Sequence, residues 1–566
     1  MQIPVSLFGV AVALGLGACA SQQSSPESAP EQAGARQEQP LASDASEATY
    51  HAMLGEIALQ REMYDTAVNE FRRAAELSTD PDLIERATSL AFAYERYDDA
   101  RVCARRWLLV EPDNYSAHRF LALIELRADD VDAALPHLRM VREAYGAHGA
   151  EPDLGLLALL LQEQNHAAAT AAMQKLVKEQ DSAEGRYAIA ALALQSGQLK
   201  LAQSSSRRAL EMRPEWDAAG MLLARTLIAS GEIEDGISQG ARVAAATDDP
   251  AVQLDYGGML AGLGRYDEAL LQFEAVRAEG SRENDAVRAL ALVSMQVRDF
   301  DTARKYFGWL VTTGYYDEGY YYLGRIARQQ KVYDDALVYY RSVEPSEYFL
   351  SAQIEIADIF LQRDDIEGGR QHLEELARAF PDYAVSALAA EADLLAESGD
   401  SDAALALYSQ GIAEHAEASE LRYGHAFLLE RLGRTNEAVS ELRAIVADHP
   451  DDPIALNALG YTLADNNRNL REAQKLIERA LKLDPTNAAI LDSMGWVLFR
   501  RGREEEAIRY LRRARVLSRD PEIAAHLSEV LLATGARAEA REIYESARRE
   551  YPDSDVFEAV AAQFDS

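Results

Sequence analysis

Proline, cysteine and positive charge are all scarce in this chain. Seventeen prolines among 566 residues leave long stretches free of helix breakers, and β-branched runs bounded by turn residues are hard to find, which argues against a β fold. Only Cys19 and Cys103 occur, so no disulfide framework is available unless Cys19 stays unmodified. Cys103 falls on the apolar stripe of a predicted helix and reads as a small buried hydrophobe. A reactive thiol there would need a base or a helix N-terminus beside it. The 57 basic residues face 93 acidic ones, a formal net charge of -36. A surface of that sign repels nucleic-acid phosphates and anionic lipid over most of its area. Catalytic signatures are scarce as well: there is no HExxH, no paired-cysteine zinc spacing and no GxxxxGK[ST]. No catalytic residue, metal site or cofactor is implied.

What the chain does have is helix-forming composition and a period. In residues 485 to 514, "PTNAAILDSMGWVLFRRGREEEAIRYLRRA", the residues Ile490, Leu491, Met494, Val497 and Leu498 form the stripe of one half-buried helix. Gly502 breaks the pattern, and Ala507, Ile508, Leu511 and Ala514 form a second stripe, so the unit is a helical hairpin. Gly495 and Ala507 are small where the two helices must meet closely. The small residue at Ala507 recurs at Ala67, Ala100, Ala133, Ala167, Ala202, Gly236, Ala269, Ala303, Ala336, Gly369, Ala404, Ala438, Ala473 and Ala540, always 33 to 35 residues apart. A large residue four positions later (Phe71, Phe273, Phe307, Tyr340, Tyr408, Leu511, Tyr544) and a closing proline (Pro112, Pro214, Pro381, Pro450, Pro485, Pro552) keep step in many units. Units 114 to 147 and 217 to 249 are the weakest, with His137 and Gly240 at the large-residue position. The paired carboxylates Asp129-Asp130, Asp248-Asp249 and Asp364-Asp365 fall at turns or unit junctions and read as caps rather than as acid and base.

This period, with Leu491, Met494, Gly495, Leu498, Ala507, Leu511 and Ala514 at consensus positions, resembles the tetratricopeptide repeat. The expected fold is all-α, a solenoid of about 15 hairpins stacked over residues 48 to 553 with a C-terminal capping helix at 554 to 566. The resemblance further implies a right-handed superhelix whose first helices line a concave wall. Consensus groove positions then select Tyr321, Arg325, Arg328, Tyr423, Phe427, Tyr461, Trp496, Phe499 and Arg500 as partner-binding residues, since Trp, Tyr and Arg dominate interface hot spots. Residues 306 to 349 are unusually aromatic and offer a second partner site. Residues 500 to 519 carry eight Arg against three Glu, which reads either as a solvated helix face braced by pairs such as Glu505 with Arg509 or as a dock for an acidic partner or lipid headgroups.

Residues 5 to 18 form an apolar run of signal-peptide length ending in Leu16, Gly17, Ala18, Cys19, which resembles the lipobox of bacterial lipoproteins, although no Lys or Arg precedes it. The resemblance implies cleavage after residue 18, lipidation of Cys19 and, with Ala20 rather than Asp following, an outer-membrane address facing the periplasm. An ordinary secretory peptide is the alternative. Residues 19 to 47 follow as a tether too polar to fold, with a span of roughly 30 Å and a reach of roughly 90 Å. The array, and above all residues 455 to 511, is similar to outer-membrane lipoprotein adaptors of the LbcA type. That likeness implies an adaptor, not an enzyme, that brings a carboxyl-terminal processing protease together with cell-wall hydrolases. A scaffold for exopolysaccharide secretion or outer-membrane assembly is the alternative.

Overall fold

The computed structural model describes residues 44 to 566 except 62, 281, 553 and 566. The lipobox, Cys19 and most of the tether lie outside the described residues. Among the described residues there are 31 α-helices, two short 3-10 turns and no strand. The first 30 helices pair as consecutive hairpins, fifteen in all, and stack as a helical solenoid. Both weak units are present, as hairpins Tyr115–Arg127 with Val131–Ala147 and Asp217–Ala229 with Ile233–Ala246. Where Gly240 leaves no large side chain, the space is taken by Tyr256, whose ring a Cβ at Gly240 would meet at 2.8 Å.

The period works through close approach. A Cβ on Gly495 would sit 2.5 Å from Leu511 Cγ, and Ala507 is fully buried beside it, so the helices Ala488–Arg500 and Glu504–Leu517 touch where both side chains are smallest. The doubled carboxylates divide two tasks between them. Asp129 and Asp364 adopt φ of 60° and 62° in the turn. Asp130, Asp249 and Asp365 each cap the following helix by accepting a backbone N–H, from Ala133, Ala251 and Gly368. The first helix starts at Asp44, four residues earlier than expected, because Asp44 and Glu47 give an acidic first turn to Asp44–Leu59. The most apolar short stretch, residues 154 to 160, lies in the helix Pro152–Leu160 with Leu156 and Leu160 fully buried. No described helix is long and apolar enough to cross a membrane.

Contacts divide the described residues into two units, one ending at Ile124 and the other beginning at Glu125. In the first unit Phe71, Ile84, Cys103, Trp107 and Leu121 form the core. Burial, reinforced by Asp99, pushes the Cys103 thiol up to about 12 and leaves it an inert hydrophobe. In the second unit the end of the array is closed by the helix Glu558–Asp565, with Phe557, Val560 and Phe564 buried against the last hairpin.

The second unit also touches itself across most of its length. Arg519 and Glu550 form an ion pair at 2.6 Å, and Glu550 Oε1 accepts from Tyr266 Oη and Gln296 Nε2, both at 3.0 Å. Arg519 donates to the Leu263 carbonyl at 3.2 Å and lies over the Tyr266 ring. Gly264, at φ 76°, leaves the space that the guanidinium fills. A second touch brings Gly197 to Pro485 and Arg513. The eight arginines of 500 to 519 are therefore not one solvated face. Arg513, Arg515 and Arg519 are half-buried, and the expected Glu505 to Arg509 pair is replaced by Glu506 to Arg509 at 3.7 Å.

Candidate partner-binding wall

The first helices of neighbouring hairpins lie side by side, so residues roughly one period apart meet. The helices Ser419–Arg431, Pro453–Asp465, Ala488–Arg500 and Pro521–Ala533 build one stretch of wall this way. Tyr423 and Phe427, four residues apart on one helix face, stack at 6.2 Å. The Tyr423 hydroxyl donates to Asp452 at 3.0 Å, and the same carboxylate caps the next helix at Ile454 N. The pair is thus pinned at Tyr423, while Phe427 stays 49% exposed. Tyr461 is half-buried and donates to Glu522 at 2.8 Å.

Trp496 departs from the expectation that it faces a partner. It is 4% exposed, stacks on His526 at 4.3 Å and donates Nε1–H to Asp465 at 3.1 Å. Helices on both sides cover it, and it belongs to the core. Phe499 is half-buried against the Trp496 ring at 5.5 Å, and Arg500 lies over that ring at 5.6 Å. What this stretch offers a partner is Phe427, the edge of Phe499 and the Arg500 guanidinium.

Behind Trp496 sits a buried charge pair. His526 Nδ1 and Asp492 Oδ2 are 2.8 Å apart. Burial opposes charge on the imidazole, but Asp492, helped by Glu522 and Glu529, outweighs it and pushes His526 up to about 9. A folded-state value above the ordinary 6.5 means the pair stabilises fully below about pH 6.5 and loses that contribution as pH rises through about 9. Melting temperature will accordingly fall between about pH 6.5 and pH 9 in the wild type, and His526→Gln will flatten that fall. Parallel slopes in the two proteins would show that His526 is not the group responsible.

A second stretch uses the helices Glu283–Gln296, Tyr316–Gln329 and Phe349–Gln362. Tyr321 lies 5.3 Å from both Tyr322 and Tyr348, and Arg325 sits over the first two rings at 5.9 and 5.7 Å. Burial raises the hydroxyl of Tyr321 above its ordinary range. Arg288 pairs with the buried Glu318 at 2.5 Å and lies over Tyr315. Arg328 is held by Glu355 at 3.1 Å and by Asp358. Its charge is neutralised between neighbouring helices, whereas Arg325 meets no carboxylate among the described residues. The structure therefore groups the candidates as Tyr321 with Arg325 on one stretch and Tyr423, Phe427, Tyr461, Phe499 and Arg500 on the other. The residues that sequence reasoning left out, His526 and Arg288, had a usable signal. His526 follows Asp492 by 34 positions, the spacing of equivalent places in adjacent hairpins, and Glu318 follows Arg288 by 30, about one helical turn short of it.

Stacked hairpins that present aromatic rings and an arginine free of acidic partners define a helical-repeat scaffold for binding proteins. A relative from Pseudomonas aeruginosa, TPR repeat-containing protein PA4667, is 31% identical over 495 residues, covering 85% of this chain and 82% of that protein. Family models described as tetratricopeptide repeat match residues 89–148, 288–347 and 458–522, and also 395–460 and 498–563. The chain belongs to the tetratricopeptide-repeat family, whose repeats are protein-interaction modules rather than catalytic domains. Among solved structures, a thermophilic TPR protein of Thermus thermophilus is 25% identical over 32% of this chain and 98% of its own, with a TM-score of 0.29. The type IV pilus biogenesis factor PilW is 17% identical over 38% of this chain and all of its own, with a TM-score of 0.30.

Proposed function

We propose that this chain is a lipid-anchored adaptor that faces the periplasm from the outer membrane and brings a carboxyl-terminal processing protease together with cell-wall hydrolases. The observation that carries the protein-binding part is the aromatic wall, where Phe427 stays exposed on a Tyr423 fixed by Asp452. The address rests on the lipobox-like Leu16 to Cys19, and the choice of partner rests on the adaptor-like wording of residues 455 to 511.

The test is crosslinking in cells to the chain tagged at its C-terminus, with partners identified by mass spectrometry in wild type, Cys19→Ala and Phe427→Ala. A processing protease and its substrates should be recovered from wild type, less from Phe427→Ala, and the Cys19→Ala chain should leave the membrane fraction. Recovery of a porin and polysaccharide-synthesis components alone would sink the protease reading in favour of the secretion scaffold.

A further inference from the structure

One hairpin turn differs from its neighbours. The turns at 432–434 and 501–503 have three residues, while the turn between Pro453–Asp465 and Leu470–Leu483 has four, 466–469. The extra residue is accommodated by two non-glycine residues with positive φ, Asn467 at 53° and Asn469 at 43°. Beside this widened turn lies a depression of about 860 Å3, open to solvent and walled by Asn467, Asn469, Leu470, Arg471, Arg500 and Arg501.

Its charge is opposite to that of the chain. The net charge is -36, and most arginines nearby are engaged: Arg443 with Glu472 at 2.6 Å, Arg503 with Glu506 at 2.6 Å and Arg512 with Glu539 at 2.7 Å. Arg471, Arg500 and Arg501 have no carboxylate partner among the described residues, and Arg500 has only the Trp496 ring. The one acidic residue in the lining, Glu472, is taken by Arg443. A chain this acidic repels polyanions elsewhere, so an anionic segment finds a favourable potential only where the sign is locally reversed.

We infer that this depression is a second contact surface, which takes an acidic peptide segment of a protein partner. The inference rests on the protein-binding reading and extends the wall, because Arg500 borders both the aromatic stack and the depression. An acidic strand is the occupant that fits. The guanidiniums come from two hairpins, so successive carboxylates can reach separate arginines, and the Asn467 amide can serve the peptide backbone while the Asn469 amide holds Glu472 at 3.3 Å. A compact anion would need the cations to converge in an enclosed site, and this one is open.

The full chain is titrated against a fluorescein-labelled peptide of alternating Glu and Ser, with the Gln and Ser peptide as control, and binding is read by anisotropy. Wild type should bind the acidic peptide in preference and lose affinity with added salt. Arg471→Gln with Arg501→Gln should weaken it by roughly tenfold or more with far-UV circular dichroism unchanged. No binding by wild type, equal binding of the Gln peptide, or unchanged affinity in the double variant would overturn the inference. Displacement by inorganic phosphate at peptide-like concentrations, or preferential binding of phosphatidylglycerol vesicles, would overturn it in favour of a phosphate or lipid site. No natural partner takes part, so this assay fails or succeeds independently of the crosslinking result.

Discussion

Trp496→Ala will lower the unfolding free energy of the C-terminal hairpins by about 3–5 kcal/mol, the cost of emptying a buried aromatic site. Phe427→Ala will change it by about 1 kcal/mol or less, as is usual for surface substitutions. The contrast follows from burial: Trp496 is 4% exposed and Phe427 49%. Removing the indole leaves the face of His526 uncovered and takes a donor from Asp465, so the loss includes a polar penalty beyond the cavity. Removing the Phe427 ring uncovers one face of Tyr423, which keeps its own bond to Asp452. Urea unfolding followed by circular dichroism measures the first effect, and the yield of crosslinked partner measures the second. The two should be crossed, with Phe427→Ala losing partner at little cost in stability. A Trp496→Ala protein of wild-type stability that no longer captured partner would return Trp496 to the binding surface.

The same residue marks the limit of reading the wall from sequence. The hairpins are legible because each one repeats the same local demand, a small residue at Gly495 or Ala507 where helices meet, and the demand keeps phase along the array. Consensus position alone also puts Trp496, Phe499 and Arg500 on the concave side. What it cannot supply is how far the neighbouring helix leans over each position. That depends on residues about one period away: Asp465 lies 31 positions before Trp496, and His526 lies 34 after Asp492. Arg328 misleads for the same reason, since Glu355 and Asp358 on the next first helix neutralise its charge. Arg325 escapes because its neighbours are rings. The self-contact of the second unit has no local signal at all, because Tyr266 and Glu550 are 284 positions apart and each looks like an ordinary surface residue in its own hairpin.

That self-contact supports the other large expected effect. Glu550→Ala will cost about 3–5 kcal/mol, the usual penalty for breaking a buried ion pair by removing one partner. Glu550 is 6% exposed in its side chain and Arg519 24%, so the guanidinium is left half-buried without its carboxylate. The same change removes the acceptor shared by Tyr266 and Gln296, and these bonds join segments more than 250 positions apart. Hydrogen exchange should therefore speed up at the Leu263 to Tyr266 turn as well as near Glu550. Arg519→Met with Glu550→Leu separates the two causes. Replacing both charges by apolar groups avoids the stranded cation and should recover most of the stability, yet it cannot restore the bonds from Tyr266 and Gln296, so fast exchange at the distant turn should persist. If exchange there stays slow in both variants, the array is being held closed at its second touch, where Gly197 meets Pro485 and Arg513, and the Arg519 to Glu550 pair only stabilises its own hairpins.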